Sequence, residues 1–225
     1  MDKLWYLSQV NMLNLLPAND LKEIAQMTSM KTIDKGTLII SPDKQEEILY
    51  ILKKGRVRIY KINRDGKEFT LGILGHGNIF GELETLTMGS NNLYVEAMEE
   101  LLICTLTKSD FEKLIENKPK FAYQFIQNLS NRLKDAHEMM ENLANSSVKK
   151  RLIYLLHKLS TTFGIQDEDG WTHLDLPLSH QDIANMIGST RETVSSTLKC
   201  LSKENIVKKG RKSIYIKDAL IQHFV

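Results

Sequence analysis

The sequence predicts an α+β chain: a front section of short antiparallel strands forming a barrel or sandwich, one long helix, and a back section of short helices closed by a strand pair. Three observations carry this. Between Lys35 and Leu106, β-rich runs alternate with Gly- and Pro-containing turns and no helical pattern intervenes. From Pro119 to about Asn145, apolar residues recur at helical spacing. From Ser179 to Leu201, two capped amphipathic stretches meet at Gly188.

A chain of 225 residues exceeds the common size of one domain, so at least two cores are expected. Apolar content of 42% and charged content of 26% describe an ordinary soluble protein. The opening MDKLWYLSQVNMLNLLP is apolar but interrupted by Asp2, Lys3, Ser8, Gln9, Asn11 and Asn14, and no later run approaches a membrane span. A cytoplasmic protein without membrane partners is the expectation. Cys104 and Cys200 are too few for a disulfide scaffold and lie in no CxxC motif; their apolar neighbours in ICTL and LKCL suggest buried, reduced thiols. The net charge of +2 is unevenly placed: from Ser146 onward there are 12 Lys/Arg against 8 Asp/Glu, and before it 18 against 20. Lys208, Lys209, Arg211 and Lys212 crowd around Gly210, a footprint suited to a polyanion.

In chain order, Pro17 opens a short amphipathic helix carrying Leu21, Ile24 and Ala25. The runs TLII, ILYIL, RVRIYKI, FTLGIL, LYVEA and LLICTL then read as strands. Arg64-Asp65-Gly66 marks a hairpin, because glycine supplies the positive φ of a tight turn. Ser109 to Glu116 is a short helix. In the long helix that follows, Phe125, Leu129, Leu133, Ala136, Met140 and Leu143 trace a near-heptad seam suited to a parallel homodimer; the alternative is a helix packed on its own barrel. Asn145-Ser146-Ser147 breaks the pattern and is the expected hinge. The domain expectation is therefore an effector barrel over 1–117, a dimerisation helix over 118–145 and a C-terminal domain over 146–225.

Within that last domain, Val148 to about Phe163 is a helix followed by the acidic turn QDEDGW. Ser179 and Asp182 form a capping-box-like start, Gly188 stops the helix, and Thr190 is suited to cap the next. Two short helices joined by a Gly-containing turn make a helix-turn-helix over 180–199. The free face of the second helix carries Arg191, Glu192, Ser195, Ser196 and Lys199. Arginine's planar fork matches O6 and N7 of guanine, and glutamate accepts from N4 of cytosine; both stand in the first turn, where such a helix meets base edges. NIVKKGRKSIYIKD then reads as a two-stranded wing whose cations suit phosphates. No P-loop, GxSxG, HExxH or clustered His/Cys/Asp set appears, which argues against an enzyme. A ligand-binding or interaction module whose helix-turn-helix docks a protein is the alternative.

The segments SHQDIANMIGSTRETVSSTLKCLSKENIV and LYILKKGRVRIYKINRDGKEFTLGILGHGNIFGEL resemble the cAMP receptor protein/FNR (Crp/Fnr) family of bacterial transcription regulators. The resemblance covers nearly the whole chain in the family's order. It implies a cyclic-nucleotide-binding-type jelly roll, a homodimer, double-stranded DNA with a palindromic operator, and RNA polymerase as a partner if the protein activates. Base readers would be Arg191, Glu192 and, where relatives carry a further arginine, Ser196. Backbone contacts would come from Ser179, His180, Thr190, Thr193, Ser195, Lys199 and Lys212. The effector pocket would involve Gly81, Glu82, Asn91, Asn92, Ala136 and His137. Here the chain departs from the cAMP-binding pattern: asparagines occupy the Arg-Ser positions that hold the cyclic phosphate, and Ala136-His137 fall near the base-contacting pair. A buried phosphate without a cation is unfavourable, so cAMP is not expected. Two cysteines cannot ligate an iron–sulfur cluster, and His76 in ILGHGN reads as a surface turn rather than a haem ligand. No cofactor or metal is expected, and the effector is left unnamed.

Overall fold

The computed structural model describes residues 7, 10, 13, 14, 16–43, 46–83, 86–87, 92–210 and 213–217. Two compact units divide the chain, Met1–Leu133 and Lys134–Val225. The division falls inside the long helix rather than at residue 117 or at the turn after Asn145.

Unit 1 begins with α1 (Ala18–Met27) and continues through β1 (Ser29–Ile33), β2 (Leu38–Ile40), β3 (Ile48–Lys54), β4 (Val57–Ile62), β5 (Glu68–Leu74), β6 (Ile79–Leu83), β7 (Leu86–Thr87), β8 (Tyr94–Ala97) and β9 (Leu101–Thr107). The strands form two antiparallel sheets, ordered β1-β9-β3-β6-β7 and β2-β8-β4-β5. Tyr50, Leu52, Phe80 and Ile103 of the first sheet share one buried cluster with Val57, Val95 and Ala97 of the second. This is the expected antiparallel two-layer architecture.

Strand β3 explains its own sequence. Tyr50 and Leu52 face the inter-sheet core, while Leu49 and Ile51 face a second core built with helices α1, α2 (Lys108–Asn117) and the start of α3 (Pro119–Asn145). Both faces are covered, so the run ILYIL is apolar without alternation. Opposite Leu49 stands Gly81, at φ +136; a Cβ there would meet the Ile48 carbonyl oxygen at 2.2 Å. No other residue fits that approach.

Unit 2 contains the end of α3, then α4 (Val148–Phe163), β10 (Gly164–Gln166), β11 (Thr172–Leu174), α5 (His180–Ile187), α6 (Arg191–Lys203), β12 (Val207–Gly210) and β13 (Ser213–Ile216). The predicted wing pair joins β10 and β11 in one sheet, ordered β10-β11-β13-β12. Helix α5 starts on a capping box: the Asp182 amide donates to Ser179 Oγ at 3.1 Å, and the Ser179 amide donates to Asp182 Oδ2 at 2.7 Å. It stops at Gly188, whose left-handed φ of 60 turns the chain into α6. Among the described residues, no helix is long and apolar enough to cross a membrane.

Removing the Ser179 cap by Ser179→Ala should destabilise the α5 terminus by about 1 kcal/mol. Hydrogen exchange at the Asp182 amide should then quicken about fivefold, with amides of unit 1 unchanged.

Candidate nucleic-acid interface and effector pocket

Helix α6 is seated by Val194, Leu198 and Leu201, which are buried, so the 3.6-residue period turns Arg191, Glu192, Ser196 and Lys199 outward. Thr190 caps the helix by accepting from the Thr193 amide at 3.2 Å. Among the described residues, neither Arg191 nor Glu192 forms an ion pair. Two opposite charges thus stand exposed in one first turn, each able to make directional hydrogen bonds to a partner.

The hydroxyls beside them are occupied. Ser195 Oγ donates to the Arg191 carbonyl at 2.8 Å, so its lone pair takes the His180 Nδ1 hydrogen at 2.6 Å. Ser196 Oγ donates to the Thr193 carbonyl at 2.9 Å, and the hydroxyls of Thr190 and Thr193 bond each other at 2.9 Å. Ser179 is engaged in its capping box. These side chains fix α6 against α5 in the free protein, and Lys199 is the exposed cation of the set. In the wing, the Lys208 ammonium lies 3.8 Å from the Trp171 ring centroid and that of Lys217 lies 5.7 Å away, positions the charge run alone did not reveal. Lys212 lies outside the described residues.

In unit 1, a cavity of about 20 Å³ is lined by Ile40, Ile59, Phe80, Gly81, Leu93, Val95 and Arg132. That volume suits about one water. Of the expected pocket residues, Gly81 lines it, whereas Asn92, Ala136 and His137 are exposed; Asn91 and the Glu82 side chain lie outside the described residues. The cation is Arg132, which the sequence analysis did not single out. Its Nη2 donates to the Ile79 carbonyl, and burial pushes the guanidinium below the usual arginine value. Arg132 stands one helical turn before Ala136, a spacing that could have flagged it.

The expected seam needs correction. Phe125 is 3% exposed and packs edge-on against Phe111 at 5.0 Å, and Leu129 packs on the same core. Leu143 is half-buried, and a Cβ at Gly188 would lie 3.8 Å from its Cδ2. The outward stripe is instead Tyr123 (60% exposed), Ile126 (63%), Leu133 (58%) and Met140 (56%). With Ser130 and His137 between them, it runs at spacings of 3, 4, 3, 4, 3, a heptad phase shared with the expectation only at Leu133 and Met140. The helix has two apolar stripes, and spacing alone cannot say which one meets its own domain.

Two smaller expectations are resolved. Cys104 is buried, but Cys200 is exposed, its Sγ 3.3 Å from Glu204 Oε1. Cys200 follows Lys199 on the outer side of α6, one residue out of phase with Leu198 and Leu201. His76 is exposed, with Nδ1 2.6 Å from the Lys53 carbonyl.

Residues 30–118 match the model of the cyclic nucleotide-binding domain, and residues 150–219 match the Crp-like helix-turn-helix domain. The chain is 30% identical over 196 residues to "Probable transcriptional regulator flp" of Lacticaseibacillus casei, covering 87% of this chain and 86% of that protein. It is 32% identical over 199 residues to the "Global nitrogen regulator" of Synechococcus elongatus, covering 87% and 89%. Among solved structures, a CooA variant from Carboxydothermus hydrogenoformans superposes with a TM-score of 0.79 at 25% identity, over 97% of each chain. With an exposed capped helix, a winged sheet and these two domains in order, the chain belongs to the Crp/Fnr family of DNA-binding transcription regulators.

Proposed function

We propose that the protein acts as a homodimer that reads a palindromic operator through Arg191 and Glu192, under the control of a small effector other than cAMP. The exposed Arg191–Glu192 pair at the start of a capped helix, without an ion-pair partner among the described residues, carries this reading. An arginine–guanine fork and a glutamate–cytosine contact together recognise one G·C-containing step per half-site. Lys199 adds phosphate affinity without reading sequence.

The outward stripe of α3 supports the dimer. Four large apolar side chains, each more than half exposed, recur in one heptad phase, and a second copy of the helix would cover them. For the effector, Asn91 and Asn92 at the Arg-Ser positions offer hydrogen bonds but no positive charge to a cyclic phosphate, and Asn92 is exposed.

Three measurements test these points. In binding-site selection, Arg191→Ala should cost about 1–3 kcal/mol per half-site and relax choice at one base pair, whereas Lys199→Ala should weaken all sequences alike and flatten the salt slope. Identical selection by wild type and Arg191→Ala would remove Arg191 from base reading. Replacing both Leu133 and Met140 with Glu should bring like charges into a dry interface, and sedimentation should report monomers; an unchanged dimer would move the interface off this stripe. Calorimetry should show no cAMP binding at micromolar nucleotide. A micromolar isotherm that disappears in Arg132→Ala would instead assign the missing phosphate partner to Arg132.

A further inference from the structure

Helix α3 ends at Asn145 and α4 begins at Val148, so Ser146 and Ser147 alone join them. Two residues carry four soft dihedrals, and such a turn does not by itself fix an angle between helices. Ser147 caps α4 through the Lys150 amide, at 3.4 Å, which sets where the helix starts but not where it points.

The angle is held elsewhere. Lys158 Nζ lies 2.7 Å from Asp135 Oδ1 and 2.9 Å from Glu138 Oε2, and Tyr154 donates its hydroxyl hydrogen to the same Glu138 oxygen at 3.0 Å. Asp135 and Glu138 share one face of α3; Tyr154 and Lys158 share one face of α4. The Asp135 and Lys158 ends of this brace sit ten residues from the helix ends at the turn, about 15 Å along each helix, with Glu138 and Tyr154 seven and six residues away. At that lever arm, 1 Å of slack corresponds to only about 4° of rotation. Burial works against the Lys158 charge, but the Asp135 and Glu138 hydrogen bonds outweigh it and hold the ammonium above the usual lysine value. The Lys158 and Tyr154 bonds hold Glu138 below the usual carboxylate range. All three charged groups are partly exposed, so the brace adds little to stability; its effect is geometric.

What α4 carries makes that geometry consequential. Its buried Leu152, Leu156 and Leu159 belong to the unit that seats α6, and Lys149 Nζ reaches Glu204, just past the end of α6, at 2.7 and 2.8 Å. We propose that Lys158 is a positioning residue for operator choice: by bracing α4 against the dimer helix, it fixes the separation of the two recognition helices and so the half-site spacing that the protein accepts. The proposal rests on the palindrome-reading homodimer argued above. Half-sites one turn apart require a separation near 34 Å, and one inserted base pair changes it by about 3.4 Å.

The test uses the full-length protein, a palindrome selected with the wild type, versions of it with one base pair added or removed between the half-sites, and a duplex with a single half-site. Anisotropy titrations of the wild type should show about a tenfold preference for one spacing. Lys158→Met should bind the single half-site within about twofold of the wild type, yet discriminate spacings by less than about threefold. Glu138→Gln should shift in the same direction and Lys158→Arg should retain the preference. Unchanged spacing discrimination in Lys158→Met would overturn the proposal, and so would an equal loss on every duplex, which would mean damage to the fold. A wild type that does not prefer the palindrome to a scrambled duplex would overturn the underlying dimer reading and the proposal with it.

Discussion

The phase of one helix constrains everything else in this chain. Helix α3 has 27 residues and about 100° between successive side chains, so each position can serve only one neighbour. Phe121, Phe125 and Leu129 are committed to the core of unit 1, and Arg132 follows them inward to the small cavity. Asp135 and Glu138 are committed to α4. What is left pointing outward is the stripe from Tyr123 to Met140. An insertion or deletion that slips this phase by one residue would disturb core, cavity and outer stripe together, so the helix cannot adapt one role without cost to the others.

Burying a guanidinium is unfavourable unless it finds hydrogen bonds, and Arg132 donates one to the Ile79 carbonyl. The cavity beside it is walled by the apolar side chains of Ile40, Ile59, Phe80, Leu93 and Val95.

Much of this was legible in the sequence where signals are local. Caps at Ser179 and Thr190, the stop at Gly188 and the strand-turn rhythm each depend on residues within a few positions of one another, and each appears as read. Strand β1 was missed because SMKTI is almost wholly exposed and shows no apolar alternation; it exists by pairing with β9, whose partner residues lie 68 to 76 positions away in sequence. Strand β6 lay hidden in IFGEL, read as a motif rather than a strand. Cys200 looked buried because its sequence neighbours are apolar, yet on a helix an adjacent residue points about 100° away. The phase of α3 failed for a related reason: periodicity detects apolar stripes but does not assign partners to them.

The chemistry of α6 also bears on how selective such a helix can be. Ser195, Ser196, Thr190 and Thr193 all spend hydroxyl hydrogens or lone pairs inside the protein, and each bond must be broken or shared before the group can serve a nucleic acid. Among the described residues, the side chains of Arg191 and Glu192 have no such bond to break. On the proposed reading, direct contacts to bases fall on these two adjacent side chains, while the hydroxyl-rich remainder of the face holds the helix in its orientation. Where a larger set of charged readers would spread recognition over several base pairs, this arrangement concentrates it on one step per half-site. Under that proposal, discrimination between operators would come largely from the pairing of two half-sites at a defined distance, and the rigidity of the joint between α3 and α4 would be part of how sequence is chosen.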